Sequence, residues 1–482
     1  MLFNSLDFAI FLPIVFILYW FVFNKNLRHQ NILIAVASYF FYGWWDWRFL
    51  ALILFSTLVD YIIGVSLDKE QNIHKRKILL WISILVNLGF LGFFKYYNFF
   101  LDNFQSAFSF FGQEINSNSL NIILPVGISF YTFQTLSYTI DVYKKRLEPT
   151  KDFISFAAFV SFFPQLVAGP IERATNLLPQ ILSKRKFEYS EAVDGLKQIL
   201  WGLFKKIVIA DNCAVYANLI FNNSTNYSGS TLVLGAIFFT FQIYGDFSGY
   251  SDIAIGTSRL FGFNLMQNFA FPYFSRDIGE FWRRWHISLS TWFRDYVYIP
   301  LGGSRGVTWM KVRNTFIIFI VSGFWHGANW TFIVWGALNA IYFLPLLLTK
   351  KNRQNMEVVA EDTYLPSIKE FFQMSLTFGL TVIAWIFFRA VNIDHAINYL
   401  GEIFSLSLFT TPNFRGLIPA LITVILILVF IMIEWFGRKG QYAISHMGDN
   451  CKKPVRWAFY YGIILAIFYF GGEDQQFIYF QF

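Results

Sequence analysis

A histidine set in the middle of apolar sequence is the first candidate for chemistry. His326 stands in Ser322-Gly323-Phe324-Trp325-His326-Gly327-Ala328-Asn329-Trp330, with an apolar run before it (315–321) and another after it (331–348). These flanks predict an imidazole at membrane depth, where an ionisable side chain is costly and is retained chiefly for function. The reference pKa of imidazole, about 6.5, lets a neutral ring take up a proton near neutrality, which suits a general base. The same residues also fit a buried histidine bonded to a helix carbonyl or to Ser322 one turn earlier, with Gly323 and Gly327 as close helix packing. Both readings are open at this point.

A second candidate is the segment Phe281-Trp282-Arg283-Arg284-Trp285-His286-Ile287-Ser288-Leu289-Ser290-Thr291-Trp292-Phe293-Arg294-Asp295-Tyr296. At helical spacing Trp282, Trp285, Leu289, Trp292 or Phe293, and Tyr296 form one stripe, and Arg283, His286, Ser290 and Arg294 form another. Either the helix lies in the interface with its arginines on headgroups, or its polar stripe faces a cavity that receives a phosphate-bearing donor. The third candidate is Tyr244-Gly245-Asp246-Phe247-Ser248-Gly249-Tyr250-Ser251-Asp252, at the end of the apolar run that starts at Leu232. Asp246 and Asp252 are six apart, so one helical face does not present both as a catalytic dyad, and hydrogen bonding that orients partners is the expected role.

Other patterns point away from common chemistries. Gly302-Gly303-Ser304-Arg305-Gly306 matches GxSxG, but it follows Ile299-Pro300 after an amphipathic stretch, without the strand that a nucleophile elbow requires. His286 and His326 are forty apart and lack a third ligand at metal spacing, so no metal is expected. Cys213 and Cys451 form neither a disulfide framework nor a CxxC motif.

The elements that must hold these residues are membrane helices. Of 482 residues, 56% are hydrophobic, 21% aromatic and only 14% charged, too few charges to coat soluble domains of that length. Apolar blocks at 8–23, 49–65, 78–94, 418–435 and 457–470 approach the roughly 20 residues that cross a bilayer. The first block has only Asp7 ahead of it and no cleavage site behind it, so it is expected to be a retained helix and not a signal peptide. Basic residues give a net charge of +8 but sit in short clusters between the blocks, which marks topology and not nucleic-acid binding. Lys25 and Arg28, then Lys69 to Lys77, then Lys144 to Lys151 alternate with loops poor in Lys and Arg, such as 98–119 with Asp102 and Glu114. At the other end Arg438, Lys439, Lys452, Lys453 and Arg456 precede the last block, and Glu473 and Asp474 follow it. The positive-inside rule then puts both termini outside the cytoplasm. The expectation is an all-α, polytopic membrane domain spanning 1–482, with roughly ten to twelve crossings and a catalytic core near 120–350. Lys184, Arg185, Lys186, Lys205 and Lys206 mix with apolar residues in 182–209, as in a helix on the cytoplasmic interface.

Several long motifs in order make the sequence recognisable: Phe40-Phe41-Tyr42-Gly43-Trp44, Phe163-Pro164-Gln165-Leu166-Val167-Ala168-Gly169-Pro170-Ile171-Glu172-Arg173, Asp246 to Gly256, Phe281 to Ser290 with Arg294-Asp295-Tyr296 and Pro300-Leu301-Gly302-Gly303, and Trp325-His326-Gly327-Ala328-Asn329-Trp330. The chain resembles the membrane-bound O-acyltransferase family, in the branch that holds the membrane subunit of alginate O-acetylation. The resemblance implies helices around a central tunnel, with re-entrant or interfacial helices, and a deep histidine that corresponds to His326. It also implies a second polar residue some forty positions upstream, which corresponds to His286. Arg283, Arg284, Trp285, Ser290, Arg294, Trp325, Asn329, Trp330, Asp246 and Asp252 are then expected to bind donor or line the tunnel.

The implied reaction moves an acetyl group from a cytoplasmic thioester, acetyl-CoA, toward hydroxyls of an alginate-like exopolysaccharide outside the cytoplasm of a bacterial cell. A periplasmic or surface SGNH-type acetyltransferase would complete the delivery. His326 would act as base in a channel open to both faces of the bilayer, and His286 would orient or polarise the thioester carbonyl. Two other readings compete: D-alanyl transfer to teichoic acid from a carrier protein, and a proton-coupled transporter using the histidine pair as a relay, although the sequence has no internal symmetry to support transport.

Overall fold

The computed structural model describes the chain except for residues 111–118, 168, 448–451, 473–474 and 479–482. Glu114, Ala168, Cys451, Glu473 and Asp474 therefore lie outside the described residues. All regular structure among the described residues is helical. Six helical stretches are long and apolar enough to cross a bilayer: Leu27–Lys69, Ile73–Phe110, Gly229–Leu260, Trp330–Leu348, Ile368–Arg389 and Leu417–Gly437; Leu6–Val22 and Phe153–Leu166 are apolar but shorter. The first of the six exceeds one crossing. A 3₁₀ turn at Trp47–Phe49 divides it into two 20-residue helices, with the Asp46 carboxylate accepting the Arg48 backbone N–H. Each half is about 30 Å long, the thickness of the hydrocarbon core.

The other end matches the apolar blocks closely, as helices Leu417–Gly437 and Lys453–Phe470. The apolar stretch from 120 to 140 is not one helix throughout. Its helix starts only at Ile128, because Pro125 has no N–H to give and Gly127 takes a left-handed φ of 73°. A side chain at 127 would also meet the Leu166 carbonyl oxygen at 2.7 Å.

The chain divides into two compact units, Met1–Ala192 with Thr257–Met266, and Val193–Gly256 with Gln267–Phe482. The first buries an unpredicted carboxylate, Asp60, and satisfies it fully: Ser83 Oγ donates at 2.5 Å, Asn87 Nδ2 at 2.9 Å and Thr139 Oγ1 at 3.2 Å. Large apolar side chains such as Phe21 and Leu85 point outward, 74% and 65% exposed, as expected of a surface bathed in lipid.

Every candidate residue lies in the second unit. Here helix Gly229–Leu260 approaches the helical stretch 193–210 almost backbone to backbone. A Cβ at Gly249 would sit 2.8 Å from the Gly202 carbonyl oxygen, and one at Gly245 2.9 Å from that of Lys205. This approach buries Lys205 and Lys206, which lie on a π-helical stretch, Phe204–Ala210. These two lysines are not the interfacial residues expected from sequence. Lys205 Nζ meets Asp252 at 2.5 Å, and Lys206 Nζ meets Asp246 at 2.9 Å and Asp211 at 2.7 Å. A buried ammonium needs such partners, and the two aspartates of the third candidate segment supply them.

Candidate active site

His326 is the last residue of helix Thr308–His326, and Asn329 opens the next, Trp330–Leu348, by accepting the Thr331 N–H at 3.0 Å. The two helices form a tight hairpin. A Cβ on Gly323 would lie 2.2 Å from the Phe332 carbonyl oxygen, and one on Gly336 2.4 Å from that of Phe319. Small residues thus fix where the imidazole stands, as well as packing the helices. The ring is buried, with the rings of Trp325 at 4.9 Å, Trp335 at 5.2 Å and Phe388 at 5.2 Å.

The second histidine is held differently. The continuous helix expected over 281–296 is broken into Ile278–Arg284 and Ile287–Phe293. At the break Trp285 is extended and His286 is left-handed, with φ 43° and ψ 56°. A neighbouring segment stabilises the break: Ala270 N–H donates to the Arg284 carbonyl and Ile287 N–H to that of Asn268, each at 2.9 Å. A β-carbon-bearing residue in this conformation costs about 1–3 kcal/mol, and such strain clusters at functional sites. The break turns the His286 ring inward, against Phe247 at 4.6 Å and Trp325 at 6.2 Å. Trp325 therefore neighbours both imidazoles. Trp285 and Trp335 both pack on Trp385, at 5.0 and 5.7 Å, and close the aromatic cage.

The remaining candidates separate into two groups. Ser290 and Arg294 join Trp282, Tyr298, Ser304, Thr315, Ser322, Asn352 and Arg353 around a cavity of about 230 Å³. It reaches from the exposed Arg353 and Ser304 to the buried Ser322, one helical turn from His326. Arg294 is also paired with Asp295 at 2.7 Å.

The others are committed to the scaffold. Arg283 donates to the carbonyls of Asn352 and Asn355 at 2.7 and 2.8 Å, and Arg284 pairs with Glu280 at 2.9 Å. Asn329 is a helix cap that also donates to the Val391 carbonyl, and Trp330 is 52% exposed. Asp246 and Asp252 neutralise the buried lysines, the orienting role expected for them. The GxSxG segment is a loop with left-handed glycines at 302, 303 and 306. Nor does His326 line the cavity: Trp282 and Trp335 pack at 5.6 Å beside it, and Trp335 faces the imidazole.

Sequence reasoning missed Asn268. Its Oδ1 is 3.0 Å from His286 Nδ1, and it accepts the Ser288 hydroxyl at 2.9 Å and the Ser288 N–H at 3.3 Å. Its Nδ2 donates to Ser251 Oγ at 3.0 Å. A single asparagine in a loop carries no spacing that could have revealed this.

Several helices of membrane-crossing length define a multi-pass membrane protein, and its second unit buries a pair of imidazoles. Residues 144–388 match the model of the membrane-bound O-acyltransferase family. The chain is 38% identical to a probable alginate O-acetylase of Azotobacter vinelandii over 447 residues, covering 92% of this chain and 86% of that protein. A peptidoglycan O-acetyltransferase of Helicobacter pylori is 36% identical over 83% of this chain and 79% of its own length. The teichoic acid D-alanyltransferase of Bacillus subtilis is 30% identical over 46% of this chain and 58% of its own. The chain belongs to the membrane-bound O-acyltransferase family. It is a multi-pass membrane O-acyltransferase.

Proposed function

We propose that this enzyme takes an acetyl group from a cytoplasmic thioester, acetyl-CoA, and passes it toward hydroxyls of a polysaccharide outside the cytoplasm. The observation that carries this reading is the cavity that ends at Ser322, one turn below His326, on a chain resembling O-acetylating enzymes through more than four-fifths of its length. At about 230 Å³ the cavity is smaller than the roughly 300–1,000 Å³ that enclose a whole drug-sized ligand. It suits the acyl-bearing arm of a donor whose phosphates stay near Arg353 and Arg294. Trp282 and Trp335 then separate the arm from the imidazole, and one of them must swing aside for the acyl group to reach it. Enclosure by aromatic rings afterwards excludes the water that would hydrolyse the thioester.

In the transfer the hydroxyl oxygen attacks the thioester carbonyl carbon while its proton passes to His326. The carbon–sulfur bond breaks, and the departing thiolate takes the proton from the imidazolium. The ester forms and the histidine returns to its starting state. The protein is placed in the bacterial inner membrane with both termini outside the cytoplasm, in accord with the alternation of basic loops. An SGNH-type acetyltransferase partner is proposed to complete delivery to the polymer. Release of free thiol from acetyl-CoA by the full chain in lipid nanodiscs tests the donor. A wild-type preparation that leaves acetyl-CoA intact but consumes an acyl carrier protein thioester would refute it.

A further inference from the structure

One hydrogen-bond network decides which nitrogen of His286 is available for chemistry. An amide oxygen and an amide nitrogen look alike in shape, but a backbone N–H can donate only to the oxygen. The Ser288 N–H points at Oδ1 of Asn268, and Ser288 Oγ lies 2.9 Å from the same atom. Asn268 Nδ2 is separately engaged, donating to Ser251 Oγ on helix Gly229–Leu260. The atom facing His286 Nδ1 at 3.0 Å is therefore an acceptor with no hydrogen to give. Ser288 Oγ is also 3.4 Å from Nδ1, but its hydrogen goes to the nearer Asn268 Oδ1 at 2.9 Å, so in the neutral ring the hydrogen is assigned to Nδ1 and the lone pair to Nε2. Nε2 is fully buried, and no group among the described residues hydrogen-bonds to it. The rings packed on His286, Phe247 at 4.6 Å, Trp325 at 6.2 Å and Phe269 at 6.3 Å, offer it no acceptor.

We propose that Asn268 is a positioning residue that holds His286 as the Nδ1–H tautomer, so that Nε2 is a second proton-accepting site beside His326. The proposal rests on the histidine pair being the reaction centre. It gives His286 a different part from polarising the thioester carbonyl, since a neutral ring with a bare Nε2 has no hydrogen to offer an oxygen there. Its partner must be a group that donates: a hydroxyl or thiol of a reactant. Asn268 has a structural duty too, because the same Oδ1 caps the helix that begins at Ile287. The test must separate the two duties.

Asn268→Leu and Asn268→Asp do so, with His286→Gln as the control, each as full-length protein in nanodiscs assayed for thiol release from acetyl-CoA across pH. The leucine variant removes the amide acceptor and leaves Nδ1–H only the longer contact to Ser288 Oγ at 3.4 Å, and its kcat is expected to fall about 10²-fold or more, the scale for loss of a correctly presented base. The aspartate variant keeps an acceptor for both His286 and Ser288 but adds a negative charge that favours imidazolium. Activity needs the bare Nε2, so the acidic limb of its kcat profile is expected to move up by about one pH unit. An unmoved limb in Asn268→Asp overturns the proposal even if Asn268→Leu fails to fold. Wild-type turnover in Asn268→Leu alongside an inactive His286→Gln also overturns it, while leaving the histidine pair in place. Wild-type turnover in His286→Gln removes the pair itself from the chemistry.

Discussion

Removing the ammonium of Lys206 tests whether the second unit is held by charge balance. Its side chain is 1% exposed; it donates to Asp211 Oδ1 at 2.7 Å and the Gln475 carbonyl at 3.1 Å, and forms an ion pair with Asp246 Oδ1 at 2.9 Å. Methionine would fill much the same volume without the charge. It would remove the Lys206 cation from the buried Asp211 and Asp246, while Asp246 keeps the Ile478 N–H at 2.7 Å. Breaking a buried pair in this way costs about 3–5 kcal/mol, whereas removing all its charges together is often near neutral. Lys206→Met is therefore expected to lose most of its monodisperse fraction on mild heating in detergent. The triple change Lys206→Met, Asp211→Asn and Asp246→Asn is expected to recover most of that loss. Equal stability of the single and triple variants would refute the charge-balance argument, and a triple variant weaker than the single would reverse its sign.

Three further outcomes are expected. His326→Ala should lower acetyl transfer by at least about 10²–10⁴-fold with normal membrane insertion, and an unchanged rate would remove His326 from the mechanism. Gly323→Val should abolish the hairpin, since its Cβ would meet the Phe332 oxygen at 2.2 Å, whereas Gly379→Ala, with nothing within 4 Å, should behave as wild type by size-exclusion profile. Glu172 lies outside the membrane-crossing stretches, and burial raises its carboxyl from 4.5 to about 7 despite hydrogen bonds from Asn176 and the Met266 N–H. Between those values the folded chain holds a proton that the unfolded chain releases, so stability declines as pH rises from 4.5 to 7. Glu172→Gln should flatten that decline in melting curves taken at successive pH values, and an undiminished slope would show that another group is responsible.

The terminal helices and the two histidines were legible because their signals are local: an uninterrupted apolar run, or an imidazole where the surroundings are apolar. What escaped depends on residues distant in sequence. Lys205 and Lys206 read as interfacial because the carboxylates that neutralise them, Asp252 and Asp246, are some forty positions away. The break at His286 escaped because a left-handed histidine has no glycine to announce it, and pairing with 268–270 sustains it. Arg283 and Arg284 looked available for phosphate until the structure gave them loop carbonyls and Glu280. Sequence supplied the candidate residue types, and tertiary hydrogen bonds showed which of them are tied into the scaffold.

The place of His326 at the very end of its helix adds a further effect. The aligned peptide dipoles leave roughly half a negative charge at that terminus, beside an imidazole that, as the proposed base, would become positive on abstracting a proton. The backbone thus favours the ring most at the moment of reaction, by about 0.3–2 kcal/mol, up to roughly thirtyfold in rate. Moving the histidine one turn earlier would keep the same side chain in the same helix and forfeit that electrostatic assistance.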